Sequence, residues 1–311
     1  MATKARPRIS GLLATDPTSP LRYPGGKALL STYVSGVLEE NLLSGCTFYE
    51  PYAGGASVSL DLLRLGFIDR AVLVERDPLV YAFWHSVFNE TEALCAAIEA
   101  CPVTLETWHA LQATRAVDNP KKAAPYSLLQ LGLAGLFFNR TNFSGIIGAG
   151  PIGGQGQKSA YKIDCRFNKV ALARQIRAAS VLAPRVSVRF GDAITFLRQN
   201  AAKISSGFSF VYIDPPYYAQ GRKLYRHHYT DDDHAALATY MKAQGYPWLV
   251  SYDDHPRIRE LYATAQMQPI YLDYKVKSSR TARELVISNL EIPPPVYAGS
   301  PTTVPQEAAV K

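Results

Sequence analysis

Read as apolar and polar positions, the chain alternates between two periods. Short β-rich runs stand at 47–50, 71–75, 186–190, 208–213, 248–252, 270–274 and 284–288, each with the length and composition of a buried strand. Between several of them apolar residues recur at helical spacing, over 27–40, 57–65, 193–203, 232–244 and 256–262. Strand, helix, strand in repeated order implies an α/β fold: a doubly wound, mostly parallel sheet with helices on both faces. The stretch 79–182 breaks this rhythm. It reads as helical pieces at 92–100, 105–116, 126–138 and 168–181, with a Gly-rich loop at 145–156. A helical block of that length is domain-sized, so an inserted domain is expected there, with 21–78 and 183–292 as the two parts of the sheet domain. Residues 1–20 read as a flexible lead-in and 293–311, which opens on three prolines, as a disordered tail.

Composition narrows the class. With 311 residues, 47% of them hydrophobic, the chain can bury a sizeable core. No run approaches the ~18 apolar residues of a membrane span, and the start lacks a secretory apolar segment. The four cysteines show no Cys-x-x-Cys spacing, so neither a zinc site nor a disulfide framework is expected, and a reducing, cytoplasmic setting fits. The excess of 33 Lys and Arg over 26 Asp and Glu, a net charge of +7, suits a polyanionic partner.

Two segments carry the chemistry. The first strand runs through Glu50-Pro51-Tyr52-Ala53-Gly54-Gly55-Ala56 into a helix, so small residues let the backbone approach a ligand at the helix N-terminus. Glu75, 20 positions after Gly55 at the end of the next strand, can accept both hydroxyls of a ribose. The strand at 208–213 runs directly into Asp214-Pro215-Pro216-Tyr217. Two prolines remove two N–H donors and leave an acceptor-rich turn, the Asp214 carboxylate and the Pro215 carbonyl. Such a turn suits a primary amine on an aromatic ring, on which Tyr217 can stack. His227, His228, Asp231, Asp232, Asp233 and His234 read better as a capped helix start, with Thr230 or Asp231 as cap, than as a metal cluster.

These motifs, in this order, resemble the Dam-like DNA adenine-N6 methyltransferases over about 21–289. Tyr23-Pro24-Gly25-Gly26-Lys27 resembles the family's opening cofactor segment, Glu50 to Gly55 its glycine motif, and Asp214 to Tyr217 its catalytic motif. Asn139-Arg140-Thr141-Asn142-Phe143-Ser144-Gly145 and Arg283 to Asn289 are similar to two further signatures. Ala56 stands where many members carry glycine, and a Gly-rich run follows Gly145 where many carry a basic hairpin. The resemblance implies a seven-stranded Rossmann-like methyltransferase sheet. It implies transfer of a methyl group from S-adenosylmethionine to the N6 amine of a flipped adenine in double-stranded DNA. Tyr23, Gly25, Gly26, Lys27, Glu50, Pro51, Tyr52, Gly54, Gly55, Glu75, Asp192 and Asp214 are then expected at the cofactor, with no metal.

The block 79–182 is expected to recognise the DNA target, with Asn139, Arg140, Asn142 and Lys158 at the DNA; Asn reads adenine and Arg reads guanine or clamps phosphate. The competing reading is that Asn139 and Arg140 brace the preceding helix. Arg166, Lys169, Arg174, Arg177 and Arg185 form either a phosphate track or a solvated face. A monomer is expected, with any restriction endonuclease a functional counterpart and not a stable subunit. Rival activities are methylation of RNA adenine or cytosine N4, a catalytically silent DNA-binding relative, and a nicotinamide oxidoreductase, which would leave Asp214 to Tyr217 unexplained.

Overall fold

The structure, a computed structural model, describes residues 19–22, 27–219, 221, 228–274 and 280–294. Its strands are β1 (Thr47–Glu50), β2 (Arg70–Glu75), β3 (Val186–Phe190), β4 (Ser209–Ile213), β5 (Trp248–Asp253), β6 (Gln266–Tyr274) and β7 (Arg280–Ser288). They form one seven-stranded sheet in the order β3-β2-β1-β4-β5-β7-β6. The first five pair in parallel; β7 runs antiparallel to both β5 and β6. β6 and β7 extend four residues further toward the N-terminus than the apolar runs predict. Pro269 interrupts the β6 pattern, and β6 lies at the sheet's edge, where a missing N–H costs no ladder bond.

Alternation along the strands builds two apolar layers. Phe48, Phe210, Tyr212 and Leu249 face the first, with α1 (Lys27–Glu40), α2 (Ser57–Leu65), α3 (Pro78–Asn89), α4 (Thr91–Ala100), α6 (Leu128–Thr141) and α7 (Lys169–Ser180). Their neighbours Tyr49, Val211, Ile213 and Val250 face the second, with α8 (Ala193–Ser206), α9 (Asp231–Lys242) and α10 (Pro256–Leu261). The short α5 (Leu105–Ala110) continues as a 3-10 turn at Gln112–Ala116, so the helix expected over 105–116 changes pitch midway. Strand order reverses between β1 and β4, the place where open α/β sheets leave a crevice beyond the strands' carboxyl ends.

The block 79–182 has no core of its own. Leu79, Phe83 and Trp84 of α3, Leu94 of α4 and Phe137 of α6 belong to the same buried cluster as Phe48 and Leu73 of the sheet. The helix α3 escapes the sequence reading because it is nearly all apolar: most of it is buried between sheet and α6, and its partly exposed face is largely aromatic (Tyr81, His85, Phe88). The contact is close because α6 presents glycines. A Cβ at Gly132 would lie 2.8 Å from the Ala82 carbonyl oxygen, and one at Gly135 2.5 Å from that of Leu79.

Both expected loose ends are shorter than anticipated within the described residues. Ser19, Pro20 and Leu21 are buried, and the Pro293 carbonyl accepts bonds from Tyr33 Oη (2.9 Å) and Gln268 Nε2 (2.9 Å). The remainder of 1–18 and 295–311 lies outside the described residues.

Candidate active site

Four acidic residues meet at the carboxyl ends of the parallel strands. Glu50 ends β1, Glu75 ends β2, Asp192 follows β3 and Asp214 follows β4. All four line one cavity, together with Pro51, Tyr52, Gly54, Gly55, Arg76, Pro216, Tyr229 and the segment Gly145 to Gly148. Among the expected cofactor residues, Tyr23, Gly25 and Gly26 lie outside the described residues, and Lys27 is described only as the first residue of α1.

The glycine turn is shaped by left-handed backbone at Gly54 (φ 45°) and Ala56 (φ 49°). Ala56 caps α2 without a side-chain bond, so the first N–H groups of that helix have no capping side chain in competition with a ligand. Trp84 Nε1 donates to the Gly54 carbonyl (2.8 Å) and holds the turn from α3. Glu50 is buried and accepts from Ser59 Oγ. Glu75 accepts from the backbone N–H of Gly54 (2.8 Å) and of Asp77 (2.8 Å). Burial pushes its carboxyl up to about 7, against the pull of those N–H groups. Asp192 caps α8 through Oδ1, which accepts from Thr195 N (2.9 Å), while Oδ2 stands 3.7 Å from Arg76. Tyr52 and Tyr229 meet hydroxyl to hydroxyl at 2.6 Å, with rings edge to face.

The segment from Asp214 is held from β5 and β7. Ser251 Oγ donates to Asp214 Oδ1 at 3.0 Å. Asp253 accepts the backbone N–H of Tyr218 (2.8 Å) and Ala219 (2.9 Å), and Tyr217 Oη donates to Glu284 Oε1 (2.7 Å). Ser251 and Asp253 were not among the expected site residues. Their signal is positional: β5 aligned in parallel beside β4 brings its end to the start of the Asp214 turn.

Asn139, Arg140 and Asn142, expected at the DNA, direct their side chains to the chain itself, Asn139 and Asn142 buried and Arg140 half-buried. Asn139 is 2% exposed and spends its amide on the chain: it accepts from Arg22 N (2.7 Å) and donates to the carbonyls of Arg22 (2.8 Å) and Gly145 (3.0 Å). Arg140 donates Nε (2.8 Å) and Nη2 to the Pro20 carbonyl, and burial beside Arg22 pushes its guanidinium down to about 10. Asn142, fully buried, accepts from Trp108 Nε1 (2.7 Å) and donates to the carbonyls of Ile146 (3.0 Å) and Ile147 (2.9 Å). All three side chains bond within the chain. They anchor residues 20–22 and fold the start of the Gly-rich loop into the wall of the cavity, so 145–148 borders the glycine turn. Lys158 is exposed on the far part of that loop.

The supposed phosphate track is also mostly engaged internally. Arg177 makes a two-point pair with Glu92 (2.7 Å), Lys169 reaches the Glu99 carbonyl, and Arg185 reaches those of Leu63, Ile68 and Asp69. His234 is buried with Nδ1 at 2.8 Å from Tyr252 Oη, and Thr230 with Asp233 forms a reciprocal cap on α9.

The mostly parallel sheet, with an acidic, glycine-edged cavity at its reversal point and an Asp-Pro-Pro-Tyr turn beside it, has the Rossmann-like fold of methyltransferases. The chain belongs to the D12 class N6 adenine-specific DNA methyltransferase family, whose pattern it matches over residues 23–277. It is therefore a DNA adenine methyltransferase by family. Among solved structures it is similar to "Putative methyltransferase yhhF from Escherichia coli", with 12% identity, 88% of this chain and 91% of that chain covered, and a TM-score of 0.35. No curated protein matches the sequence.

Proposed function

We propose that the protein methylates the N6 amine of an adenine turned out of double-stranded DNA, with S-adenosylmethionine as donor. What carries the reading is the shared cavity: Asp214 and Pro216 line the same cleft as the glycine turn and Glu75. The residues present fit a nucleoside cofactor. The left-handed turn at Gly54 and Ala56 admits close backbone approach, and Glu75 offers acceptor capacity beyond its backbone donors at Gly54, Arg76 and Asp77. Glu75 would take the ribose hydroxyls, Asp192 the adenine amine, and Gly54 and Gly55 the close contact. The cofactor supplies a methyl group already activated on a sulfonium.

The chain's task is the amine. Its lone pair is delocalised into the ring, so it is a poor nucleophile. Asp214 and the Pro215 carbonyl accept its two hydrogens and hold the nitrogen in a more tetrahedral form, lone pair toward the methyl. Held this way, N6 would face the donor methyl group, and the surplus proton of the methylated amine would pass to the Asp214 carboxylate and on to water. Tyr217 stacks on the extruded base and offsets the stacking lost from the duplex. Double-stranded DNA is the partner, and the reaction belongs wherever the cell keeps its DNA.

Nucleoside mass analysis of DNA and RNA treated with the protein and labelled cofactor tests this reading. Label in N6-methyladenine from DNA is expected. Label in N4-methylcytosine or in RNA would replace the substrate, and cofactor binding without any transfer would replace the activity.

A further inference from the structure

We infer that Ser251, backed by Tyr212, is a positioning residue that holds the Asp214 carboxylate in a fixed orientation as acceptor for the target amine. The inference rests on the function proposed above. The register of the sheet makes it geometrically natural. Ile213 of β4 pairs with Val250 of β5, so the next residue on each strand, Asp214 and Ser251, stands side by side. Side chains two apart share a face, which places Tyr212 behind them both.

The hydroxyls form a chain. Ser251 Oγ lies 3.0 Å from Asp214 Oδ1 and 2.9 Å from Tyr212 Oη, and both Ser251 and Tyr212 are fully buried. Ser251 donates its one hydrogen to Asp214, so its oxygen is left to accept from Tyr212. The two bonds together fix the orientation of the Asp214 carboxyl group.

The rest of this face points to the same use. Asp253 pairs with Glu284 across β5 and β7, and like charges directly opposite one another are destabilising. Each is committed to a donor from the catalytic turn: Asp253 to the N–H groups of Tyr218 and Ala219, Glu284 to Tyr217 Oη. Ser251 completes the set by holding the residue that opens the turn.

The test is single-turnover methyl transfer to DNA, with cofactor affinity, DNA affinity and melting temperature measured alongside. Ser251→Ala is expected to slow transfer about tenfold at unchanged affinity for cofactor and for DNA, and Ser251→Thr, which keeps the hydroxyl, to restore the rate. If Ser251→Ala melts below the assay temperature, Tyr212→Phe reads the same chain and slows transfer at unchanged affinities. A wild-type rate in the folded Ser251→Ala variant or in Tyr212→Phe, or a loss confined to binding, overturns the inference. A wild-type protein that transfers no methyl overturns instead the function on which it rests.

Discussion

Replacing Asn139 by alanine separates a brace from a DNA contact. The side chain is 2% exposed and makes three hydrogen bonds of 2.7, 2.8 and 3.0 Å to the backbone of Arg22 and Gly145. Each typical bond contributes about 1 kcal/mol net, and a buried group left unpaired costs about 1–3 kcal/mol. Taken at the lower figure, the loss is about 3 kcal/mol, a large part of the 5–15 kcal/mol that holds a typical protein folded. At about 2 °C per kcal/mol for a chain of this size, the melting temperature falls by about 6 °C. Cofactor affinity falls as well, because the same amide ties Gly145, at the edge of the cavity, to the segment that leads into residues 23–27. Thermal melts, cofactor titration and DNA gel shifts on one preparation read all three quantities. An unchanged melting temperature and cofactor affinity with DNA binding lost tenfold would refute the reasoning and restore Asn139 to the DNA interface.

Arg140→Ala, which loses both bonds to the Pro20 carbonyl, is expected to melt early while its folded fraction methylates the same DNA sites at the wild-type rate; site mapping checks this. Gly135→Ala puts a Cβ 2.5 Å from the Leu79 carbonyl oxygen and should destabilise by about 1–3 kcal/mol in denaturant unfolding. For Glu75, whose carboxyl is raised to about 7, ionisation disfavours the ligand-free fold: that penalty is absent below its ordinary value near 4.5 and complete above 7. Ribose hydroxyls need the ionised form, so cofactor affinity measured by calorimetry should weaken about tenfold from pH 8 to pH 6, and Glu75→Gln should be weak and flat across that range. Tyr217→Phe keeps the ring but loses the bond to Glu284, so methyl transfer should drop modestly, whereas Tyr217→Ala loses the stacking face and should drop much further.

The sheet was legible because each strand carries a short β-rich run between helical patterns, and acidic residues stand at or just after the ends of three of them. Glu75, Asp192 and Asp214 line one crevice for that reason. The helix α3 was not legible, since its partly exposed face, Tyr81, His85 and Phe88, is aromatic and shows little polar period. For Asn139 and Asn142 the residue types left two uses open: an amide that suits an adenine edge equally suits a backbone N–H and C=O, and their burial against the backbone is not written in the sequence. Ser251 and Asp253 were invisible for a different reason. They act on a turn more than thirty residues earlier, and the parallel register that brings them together is not written in either segment alone.

The most direct test of the central claim is methylation mapping of DNA from cells that express the wild-type protein or Asp214→Ala. The account predicts N6-methyladenine at a recurring sequence context in the first and none at that context in the second. Methylated adenine persisting in the Asp214→Ala cells, or no methylated adenine in either while the cofactor binds, would contradict it.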